Sequence, residues 1–377
     1  MKLLYFIDFL HTPGGMERVL TLKANYLADI LGYEVHIACL SKPQKPFFDL
    51  SKKIQIHFLS IENYHINLPK KIVLGQYYTP EHYQKVEKII QKVQPNISIS
   101  FLGNEFYFLY KINDKSAKVV EFHNSRESHT IQVETERLGL LKKIYRQYLV
   151  KKMIKVGEKY NKTILLSERD KKSWGFTNAE VIPNPLTYNP IEECIDYSVK
   201  KVIACGRISY QKGFDLLVQS WAIVAKRYPD WKLTILGRRK GVEDNLDEQI
   251  KELGLESTIQ VLTTQEDVIQ HYIEHSIFVL SSRYEGFGMV LTEAACCGLP
   301  LVSFDCPSGP AEIIEDGKTG YIAENLNIND LAQKLMLLMN DEEKRKEMGL
   351  AAKKSMEKYS IDLIMNQWNS LFLQISN

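Results

Sequence analysis

Short apolar runs alternate with longer amphipathic runs along the chain, and the alternation occurs in two series. This pattern is typical of βαβ units, in which parallel strands are joined by helices. Between the two series lies the segment 181–190, where Pro183, Pro185 and Pro190 favour an extended connector. The sequence therefore predicts an α/β protein with two doubly wound domains joined near residue 185.

The individual elements follow from the same pattern. The predicted strands cover residues 2–8, 34–40, 54–59, 97–101, 118–122 and 163–166 in the first series, and 200–205, 232–236, 259–262, 277–280 and 301–303 in the second. Helices are predicted over about 17–31, from 214 onward, and in three pieces after 326 with breaks near 341 and 359. The predicted domains are 1–184 and 185–358, and we expect a last helix, 359–377, to cross back to the first domain.

Size and composition limit the class of protein. At 377 residues the chain exceeds one ordinary hydrophobic core and suits two domains. A net charge of +2 argues against a protein that coats nucleic acid, so no nucleic-acid partner is expected. No apolar run reaches the ~18 residues of a membrane span, and the six cysteines lack disulfide or zinc spacing. We expect a cytoplasmic protein with reduced, buried cysteines.

The strongest chemical signal lies in the segment 282–300. Gly286 and Gly288 allow a sharp turn after a buried strand, and a helix is predicted from about Met289. The free amides and the dipole at the start of that helix favour a bound phosphate.

Two glutamates accompany this turn. Glu285 precedes the predicted helix, and Glu293 lies one turn inside it among apolar neighbours. A buried carboxylate needs hydrogen-bond donors, and the two hydroxyls of a ribose would serve. The alternative is that Glu293 only complements the helix dipole and that the glycines are ordinary turn residues.

Two further loops follow predicted strands, where ligands of open α/β sheets bind. The segment 205–215 presents Arg207 and Lys212, which are either anion ligands or solvated surface residues. After the first strand, Gly14 and Gly15 permit close backbone approach, although the full dinucleotide fingerprint is absent.

His123 follows the predicted strand 118–122. A single histidine in such a place is either catalytic or structural. The residue alone does not decide between the two interpretations.

Together these segments resemble the retaining GT-B glycosyltransferases with an E-x7-E motif, also called glycosyltransferase family 4 or glycosyl transferases group 1. The matching stretches are the Glu285 to Glu293 spacing, a GR-x-x-x-x-KG element at 206–213, a GG-x-E-R loop at 14–18 and a GP-x-E-I-I stretch within 305–314. The resemblance implies the GT-B fold, with two Rossmann-like domains facing a cleft. It further implies an acceptor site in the N-terminal domain and a nucleotide-sugar site in the C-terminal domain.

The resemblance also implies roles for individual residues. Glu285 would contact hydroxyls of the donor sugar, and Glu293 would bind the nucleotide ribose. Arg207 and Lys212 would clamp the diphosphate, and His123 would support the positive charge that develops on the sugar ring.

The remaining implied roles belong to backbone groups and pocket walls. The backbone of five consecutive residues would hold sugar and phosphate: Gly286, Phe287, Gly288, Met289 and Val290. Gly14 and Gly15 would approach the donor phosphate or the acceptor. Thr263 and Thr264 are expected near the base, and the stretch 305–314 would form a wall of the donor pocket.

No metal site is expected. The chain lacks a D-x-D triad, and Arg207, Lys212 and a helix terminus would take the place of a metal ion. His271 and His275 have helical spacing but no evident third ligand, so we expect them to be surface histidines. The implied requirement is a nucleotide diphosphate sugar as co-substrate, with UDP the expected nucleotide and no other cofactor.

The segment 136–160 is strongly basic, with eight Lys or Arg against two Glu, interleaved with leucines, isoleucine and tyrosines. It predicts a basic amphipathic helix that either lies on an anionic membrane surface or is an ordinary surface helix. Related enzymes build polysaccharides on lipid carriers, so we expect a lipid-linked saccharide acceptor. The expected setting is capsule, O-antigen or lipopolysaccharide synthesis, with peripheral contact at the cytoplasmic face of the inner membrane.

The expected mechanism has no protein nucleophile. The acceptor hydroxyl enters on the face that the phosphate leaves, a phosphate oxygen takes the proton, and the domains close across the cleft. Double displacement stays open. The competing functions are a nucleotide-sugar 2-epimerase and a non-catalytic nucleotide-sugar sensor.

Overall fold

The computed structural model describes residues 1–61, 77–131, 139–192, 195–239, 245–263 and 268–376. The chain divides into two compact units. The N-terminal unit comprises Met1–Pro185 and Ile361–Asn377, and the C-terminal unit comprises Leu186–Ser360. Each unit contains one parallel sheet covered by helices, as the sequence predicts for a doubly wound α/β protein.

The sheet of the N-terminal unit has seven strands in the order β3-β2-β1-β4-β5-β6-β7, with neighbouring strands parallel. Apolar side chains cover both of its faces, so the central strands read as continuous hydrophobic runs. The strands are β1 (Lys2–Ile7), β2 (Glu34–Cys39), β3 (Gln55–Phe58), β4 (Ile97–Ser100), β5 (Ala117–Glu121), β6 (Lys162–Leu165) and β7 (Ala179–Val181).

Helices connect these strands. The second helix shows why they start where they do: the Thr79 side chain accepts a hydrogen bond from the His82 amide (3.1 Å), and Pro80 occupies the first turn. The helices are α1 (Gly15–Asp29), α2 (Pro80–Val93), α3 (Ser128–Ile131), α4 (Gly139–Gly157) and α5 (Glu168–Trp174), with 3-10 turns at Asn104–Tyr107 and Leu109–Lys111.

The C-terminal unit has a six-stranded parallel sheet in the order β10-β9-β8-β11-β12-β13. Its strands are β8 (Lys201–Cys205), β9 (Lys232–Leu236), β10 (Ile259–Leu262), β11 (Ile277–Leu280), β12 (Leu301–Phe304) and β13 (Gly320–Ala323). Its helices are α6 (Phe214–Arg227), α7 (Leu246–Glu252), α8 (Val268–Ile273), α9 (Met289–Cys296), α10 (Pro310–Ile313), α11 (Ile328–Met339) and α12 (Glu342–Ser355), with 3-10 turns at Tyr210–Lys212 and Met356–Tyr359.

The last helix, α13 (Ile361–Ile375), belongs to the N-terminal unit although it follows the C-terminal unit in the chain. Its apolar side chains Trp368 and Phe372 lie in the core that β1 and α1 share. Tyr26 on α1 donates a hydrogen bond to Asp362 (2.8 Å), which fixes the start of the helix. The N-terminal unit is therefore built from both ends of the chain.

Two strands, β7 and β13, were not predicted from the sequence. β7 has three residues with a glutamate at its centre, and β13 begins with a glycine. At β13 the structure needs a glycine, because a Cβ on Gly320 would lie 1.9 Å from the Leu301 carbonyl oxygen on β12. Glycine is uncommon in strands, so the glycine that this close approach requires does not indicate a strand in the sequence.

Other sequence predictions concern surface and redox chemistry. Five cysteines in the described ranges, Cys39, Cys205, Cys296, Cys297 and Cys306, are free and buried, as expected. In the part of the chain that the structure covers, no helix has the length and apolar character of a membrane span. The predicted basic helix 136–160 corresponds to α4, and its first residues, 136–138, lie outside the described ranges.

Candidate functional site

The loop 206–213 joins β8 to α6 in the C-terminal unit, and we call it the basic loop. It presents Arg207 and Lys212, as predicted. Gly213 closes it with φ of +62°, and a Cβ there would lie 2.1 Å from the Ser281 carbonyl oxygen at the end of β11. Glycine is therefore required, both for the left-handed backbone and for the close approach of the two strand ends.

The loop 281–288 joins β11 to α9, and we call it the acidic loop. Its Glu285 is nearly buried and accepts hydrogen bonds from the Lys212 ammonium (2.6 Å) and the Ser282 hydroxyl (2.6 Å). The structure thus brings together Glu285 and Lys212, two residues that the sequence singled out separately. Arg207 is exposed on the basic loop, where its guanidinium lies 3.5 Å from the Gln211 side-chain oxygen.

Arg283 joins the two loops, and sequence reasoning missed it. Its guanidinium forms two hydrogen bonds with the Asp215 carboxylate (2.8 and 2.6 Å) and lies 4.0 Å from the centre of the Tyr210 ring. A bidentate pair of this kind fixes orientation as well as charge. Gln211 adds a further link, since its side-chain amide donates to the Tyr284 carbonyl (3.1 Å). The two loops are therefore connected by hydrogen bonds into one ledge at adjacent strand ends.

Glu293 lies inside α9 and is buried, as predicted. The protein itself supplies donors to its carboxylate: the Thr187 hydroxyl at 2.9 Å and the Tyr272 hydroxyl at 3.4 Å. The expected hydrogen-bond donors are therefore present in the protein itself, and ribose binding by Glu293 stays a prediction. Burial and the Glu293 charge raise the pKa of the neighbouring Cys205 thiol to about 11, so that thiol is neutral at physiological pH.

The acidic loop runs directly into α9. Gly288 caps the helix with φ of +90°, so the backbone from Phe287 turns into Met289 and Val290 without steric strain. The segment 305–314 packs against this turn, because a Cβ on Gly309 would lie 2.5 Å from the Phe287 carbonyl oxygen. The wall predicted from the sequence is thus in contact with the acidic loop.

The two threonines expected near a base have different outcomes. Thr263 is exposed directly after β10, the edge strand two positions from β8 in the sheet. Thr264 lies outside the described residues. The structure does not bring Thr263 into contact with Lys212 or Glu285.

In the N-terminal unit, the loop after β1 is shaped by Glu17. This buried carboxylate folds back over the start of its own helix, accepts a hydrogen bond from Thr12, and lies where a Cβ on Gly14 would meet it at 2.1 Å. Gly14 therefore gives room to a carboxylate that complements the positive end of α1. Gly15 is the first residue of that helix.

His123 lies beside this loop. It lines a cavity of about 190 Å³ together with Asp8 and Glu17, and its ring stacks on Phe101 with centroids 4.7 Å apart. Its Nε2 atom is 3.3 Å from the Glu121 carboxylate. The structure thus brings His123 and the Gly14 loop to one cavity, while Glu285, Lys212 and Glu293 lie in the other unit.

Behind His123 lies a buried ion pair that no local spacing of residues reveals. The Lys23 ammonium donates to both carboxylate oxygens of Glu121 (2.7 and 2.6 Å), and both side chains are almost fully buried. The ammonium also lies 3.5 Å from the centre of the Trp368 ring on α13. Burial lowers the pKa of Lys23 to about 8, and the attraction of Lys23 and His123 outweighs burial in lowering the pKa of Glu121.

A second buried carboxylate pair borders the same cavity. Glu105 accepts a hydrogen bond from Ser100 (2.6 Å), and a Cβ on Gly103 would lie 2.2 Å from Glu105 Oε2 and 2.9 Å from Asp8 Oδ1. Burial and the nearby Asp8 charge raise the pKa of Glu105 to about 7. Near neutral pH the Glu105 carboxyl is therefore partly protonated, next to Asp8 of the His123 cavity.

Known proteins share the fold and the sequence pattern of this chain. Residues 193–355 match the family model for glycosyl transferases group 1. A Haemophilus influenzae protein described as an uncharacterized glycosyltransferase is 29% identical over 98% of this chain and 99% of its own length. The amylovoran biosynthesis glycosyltransferase AmsD of Erwinia amylovora is 27% identical over the same shares. The family-model match and these full-length relatives support the assignment of this chain to the glycosyl transferases group 1.

A third relative transfers a sugar to a lipid-linked saccharide, according to its name. It is the Campylobacter jejuni N-acetylgalactosamine-N,N'-diacetylbacillosaminyl-diphospho-undecaprenol 4-alpha-N-acetylgalactosaminyltransferase, 26% identical over 88% of this glycosyltransferase and 89% of its own length. The family-model match covers both the basic loop and the acidic loop. Most of the N-terminal unit, with His123, precedes it.

Solved structures agree on the architecture. TarM superimposes on this glycosyltransferase with a TM-score of 0.79 at 17% identity, covering 98% of each chain. The Anabaena protein HepE, solved in complex with UDP, gives a TM-score of 0.76 at 17% identity, covering 99% of this chain and all of its own. The fold is GT-B, as the sequence resemblance implied.

One prediction about histidines is wrong. His275 is buried, not on the surface: its two ring nitrogens lie 2.6 Å from the His271 carbonyl and 2.8 Å from the Thr234 hydroxyl. Burial lowers its pKa to about 4, so the ring is neutral and structural. Among the residues that the structure describes, no group of three His, Cys, Asp or Glu side chains is arranged to hold a metal ion.

Proposed function

We propose that this glycosyltransferase acts with retention and without a metal ion, moving a hexose or N-acetylhexosamine from a UDP-sugar to a saccharide acceptor. The Lys212–Glu285 pair is the observation that supports it most, because a cation and a carboxylate meet 2.6 Å apart where two strand ends adjoin. A diphosphate leaving group needs a cation, and the hydroxyls of a donor sugar need a carboxylate that accepts their hydrogen bonds.

Lys212 and Arg207 are proposed to bind the diphosphate. As the glycosidic bond breaks, the diphosphate gains negative charge, and cations already in place stabilise the transition state more than the ground state. An ammonium carries three donors, so Lys212 can keep its bond to Glu285 while donating to a phosphate oxygen. Arg207 is exposed on the same loop and adds a second cation.

The start of α9 is proposed to hold the phosphate from the opposite side. The helix has eight residues, and its first amides, at Met289 and Val290, follow the turn at Gly288. Free amides and the helix dipole favour an anion there.

Glu293 is proposed to bind the ribose. Its carboxylate already accepts hydrogen bonds from Thr187 and Tyr272, but two oxygens offer about four acceptor sites. Two ribose hydroxyls therefore fit alongside the protein donors. In this arrangement the protein donors fix the orientation of the carboxylate before the nucleotide binds.

The His123 cavity is proposed to hold the reacting end of the acceptor and the face of the transferred sugar. Glu121 sits behind the His123 ring, with its carboxylate 3.3 Å from Nε2, and so places a negative charge beside the imidazole. Gly14 leaves room for the Glu17 carboxylate, which also lines this cavity.

Retention is proposed to occur by attack from the face that the phosphate leaves, with a phosphate oxygen taking the acceptor proton. Glu285 is poorly suited to be a nucleophile, because one of its oxygens accepts hydrogen bonds from both Lys212 and Ser282. Those bonds stabilise its charge and weaken attack on carbon. A glycosyl-enzyme trapped on Glu285 would contradict this part of the proposal.

The nucleotide, acceptor and setting rest on the relatives and on α4. HepE was solved with UDP, AmsD serves amylovoran biosynthesis, and the Campylobacter enzyme is named for a diphospho-undecaprenol acceptor. On α4, Ile144 (53% exposed) and Tyr148 (50% exposed) lie one turn apart beside the exposed Lys151. Exposed apolar groups next to cations suit peripheral contact with an anionic leaflet. We propose a lipid-linked acceptor in cell-surface polysaccharide synthesis at the cytoplasmic face of the inner membrane.

The test follows UDP-glucose and UDP-N-acetylglucosamine by proton and phosphorus NMR in buffer with a chelator, with and without saccharide acceptors. We expect release of UDP and a new glycosidic proton with the same anomeric configuration as the donor. Glu285→Gln should reduce this turnover by roughly 10²-fold or more while leaving the fold unchanged. Interconversion of the nucleotide sugars without UDP release would show an epimerase, and an inverted product would contradict retention.

A further inference from the structure

The N-terminal unit contains a second, larger cavity that the proposed reaction does not use. Its volume is about 680 Å³, within the range of small-molecule binding sites. It lies between the start of α2, the 3-10 turns after β4 and the last turns of α4, and no described residue lines both it and the His123 cavity. We call it the tyrosine–lysine cavity after the side chains that line it, chiefly Tyr77, Tyr83, Tyr107, Tyr110, Lys111 and Lys152.

Two cations share this cavity. The Lys152 ammonium lies 3.5 Å from the centre of the Tyr77 ring, and the Lys111 ammonium lies 5.7 Å from the Tyr110 ring centre. In the described part of the chain neither lysine forms an ion pair with a carboxylate, so the two positive charges repel each other without compensation. Burial and the charge of Lys111 lower the pKa of Lys152. An anion bound between them would relieve this repulsion.

The tyrosines give the cavity flat apolar walls with hydroxyl groups at their edges. Tyr77 and Tyr107 lie with ring centroids 4.3 Å apart, and Tyr77 is only 2% exposed, so these rings are held firmly in place. The apolar face of a sugar ring packs on an aromatic ring, while its hydroxyls exchange hydrogen bonds with phenol groups at the rim. Tyrosine walls therefore suit a saccharide better than an inorganic ion.

The lining also lacks the features of a simple phosphate site. No glycine is among the described lining residues, so there is no glycine-rich loop of backbone amides. Pro80, the first residue of α2, has no amide hydrogen to donate, although the positive end of that helix adds to the attraction for an anion. Specificity must then come from rings, phenol groups and the two ammonium groups.

We propose that the tyrosine–lysine cavity binds an anionic saccharide, one sugar ring against the tyrosines with its carboxylate or phosphate between Lys111 and Lys152. Such a site goes beyond the transfer reaction proposed above and does not depend on which nucleotide is the donor. In a chain that extends polysaccharides, it would hold an acidic sugar of the polymer at a place separate from His123.

The test measures binding directly, by calorimetry on the full chain without nucleotide. The probes are a glucuronate-containing hyaluronan tetrasaccharide, glucose 1-phosphate, neutral maltotetraose, inorganic phosphate and phosphatidylglycerol vesicles. We expect one or both anionic sugars to bind. Binding of the tetrasaccharide would show that the cavity accepts a carboxylate, and binding of glucose 1-phosphate would show that it accepts a phosphate. Maltotetraose and inorganic phosphate should bind at least roughly tenfold more weakly than that sugar.

Variants locate the site. Lys152→Gln and Lys111→Gln should each weaken the anionic sugar by roughly tenfold, the loss of one charged hydrogen bond. Lys155→Gln is the matched control, because Lys155 is exposed on the same helix and does not line the cavity. Circular dichroism of each variant verifies the fold.

Several results would overturn the proposal: no binding of either anionic sugar at millimolar concentration, equal binding of maltotetraose or inorganic phosphate, or equal losses in Lys152→Gln and Lys155→Gln. Vesicle binding that requires Lys152, with no saccharide binding, would assign the cavity to lipid instead. Glu293→Ala should leave saccharide binding unchanged, so failure of the donor-site proposal and failure of this one give different results.

Discussion

The two units organise their charged groups in different ways. In the C-terminal unit the Arg283–Asp215 pair links the acidic loop to the start of α6 and keeps one member in solvent, since the Asp215 side chain is 46% exposed and the Arg283 side chain 9%. In the N-terminal unit the Lys23–Glu121 pair is sealed in the core, with side chains 1% and 2% exposed. The loops of the ledge can adjust to a ligand. The buried Lys23–Glu121 pair, in contrast, can only hold neighbouring groups such as His123 in position. The comparison therefore assigns adaptable binding to one unit and fixed positioning to the other.

The largest expected effect tests the sealed pair. Lys23→Met leaves the Glu121 carboxylate buried without its cation, which should lower the free energy of unfolding by about 3–5 kcal/mol. Urea unfolding measures it. The control is Lys318→Met, which removes an exposed pair with Glu315 (side chains 66% and 60% exposed) and should cost less than about 0.5 kcal/mol.

The double variant Lys23→Met, Glu121→Met sharpens this result. Because it removes both charges, it should be more stable than Lys23→Met alone. If the single and double variants are equally unstable, lost packing rather than an unpaired charge explains the loss, and the contrast between the units fails.

The next effect concerns pH and the Glu105 carboxyl. Its pKa is raised from 4.5 to about 7, so between these values the folded state holds a proton that the unfolded state has lost. Stability from this group is complete below pH 4.5 and falls as pH rises toward 7, by about 3 kcal/mol in all. Glu105→Gln should remove this decline, so the variant gains stability over the wild type as pH rises. Parallel pH profiles for the two proteins, from chemical denaturation, would contradict the shift.

A smaller effect tests the ledge in the C-terminal unit. Gly213→Ala meets a left-handed φ of +62° and a carbonyl oxygen 2.1 Å from the new Cβ. Gly254→Ala meets nearly the same φ, +65°, with no atom within 4 Å, and isolates the backbone cost of roughly 1 kcal/mol. We expect Gly213→Ala to cost roughly 1–2 kcal/mol more than its control and to weaken nucleotide binding. Equal costs would show that the two loops separate freely.

The same contrast explains what the sequence predicted and what it did not. Arg207, Lys212, Glu285 and Glu293 lie on two short segments, so their spacing is visible in the sequence. Lys23, Glu121 and Trp368 meet only after α1, β5 and α13 pack together, and no local spacing records that meeting.

Other differences have the same origin. His275 was predicted to be exposed because helical spacing alone does not reveal that Thr234, on a neighbouring strand, is its partner. Arg283 on the acidic loop and Asp215 in the first turn of α6 show no relation in the sequence, because they meet only when β8 and β11 pair. The strands other than β7 and β13, in contrast, were predictable because most of them are short apolar runs whose burial depends little on their partners.

The most direct test of the proposed function is calorimetric titration of UDP into the wild type and Glu293→Ala, in buffer with a chelator. A carboxylate that binds the ribose predicts 1–3 kcal/mol weaker binding in the variant, roughly 5- to 150-fold, with the fold intact. UDP binding of equal strength in both proteins would contradict the assignment of the nucleotide to the C-terminal ledge.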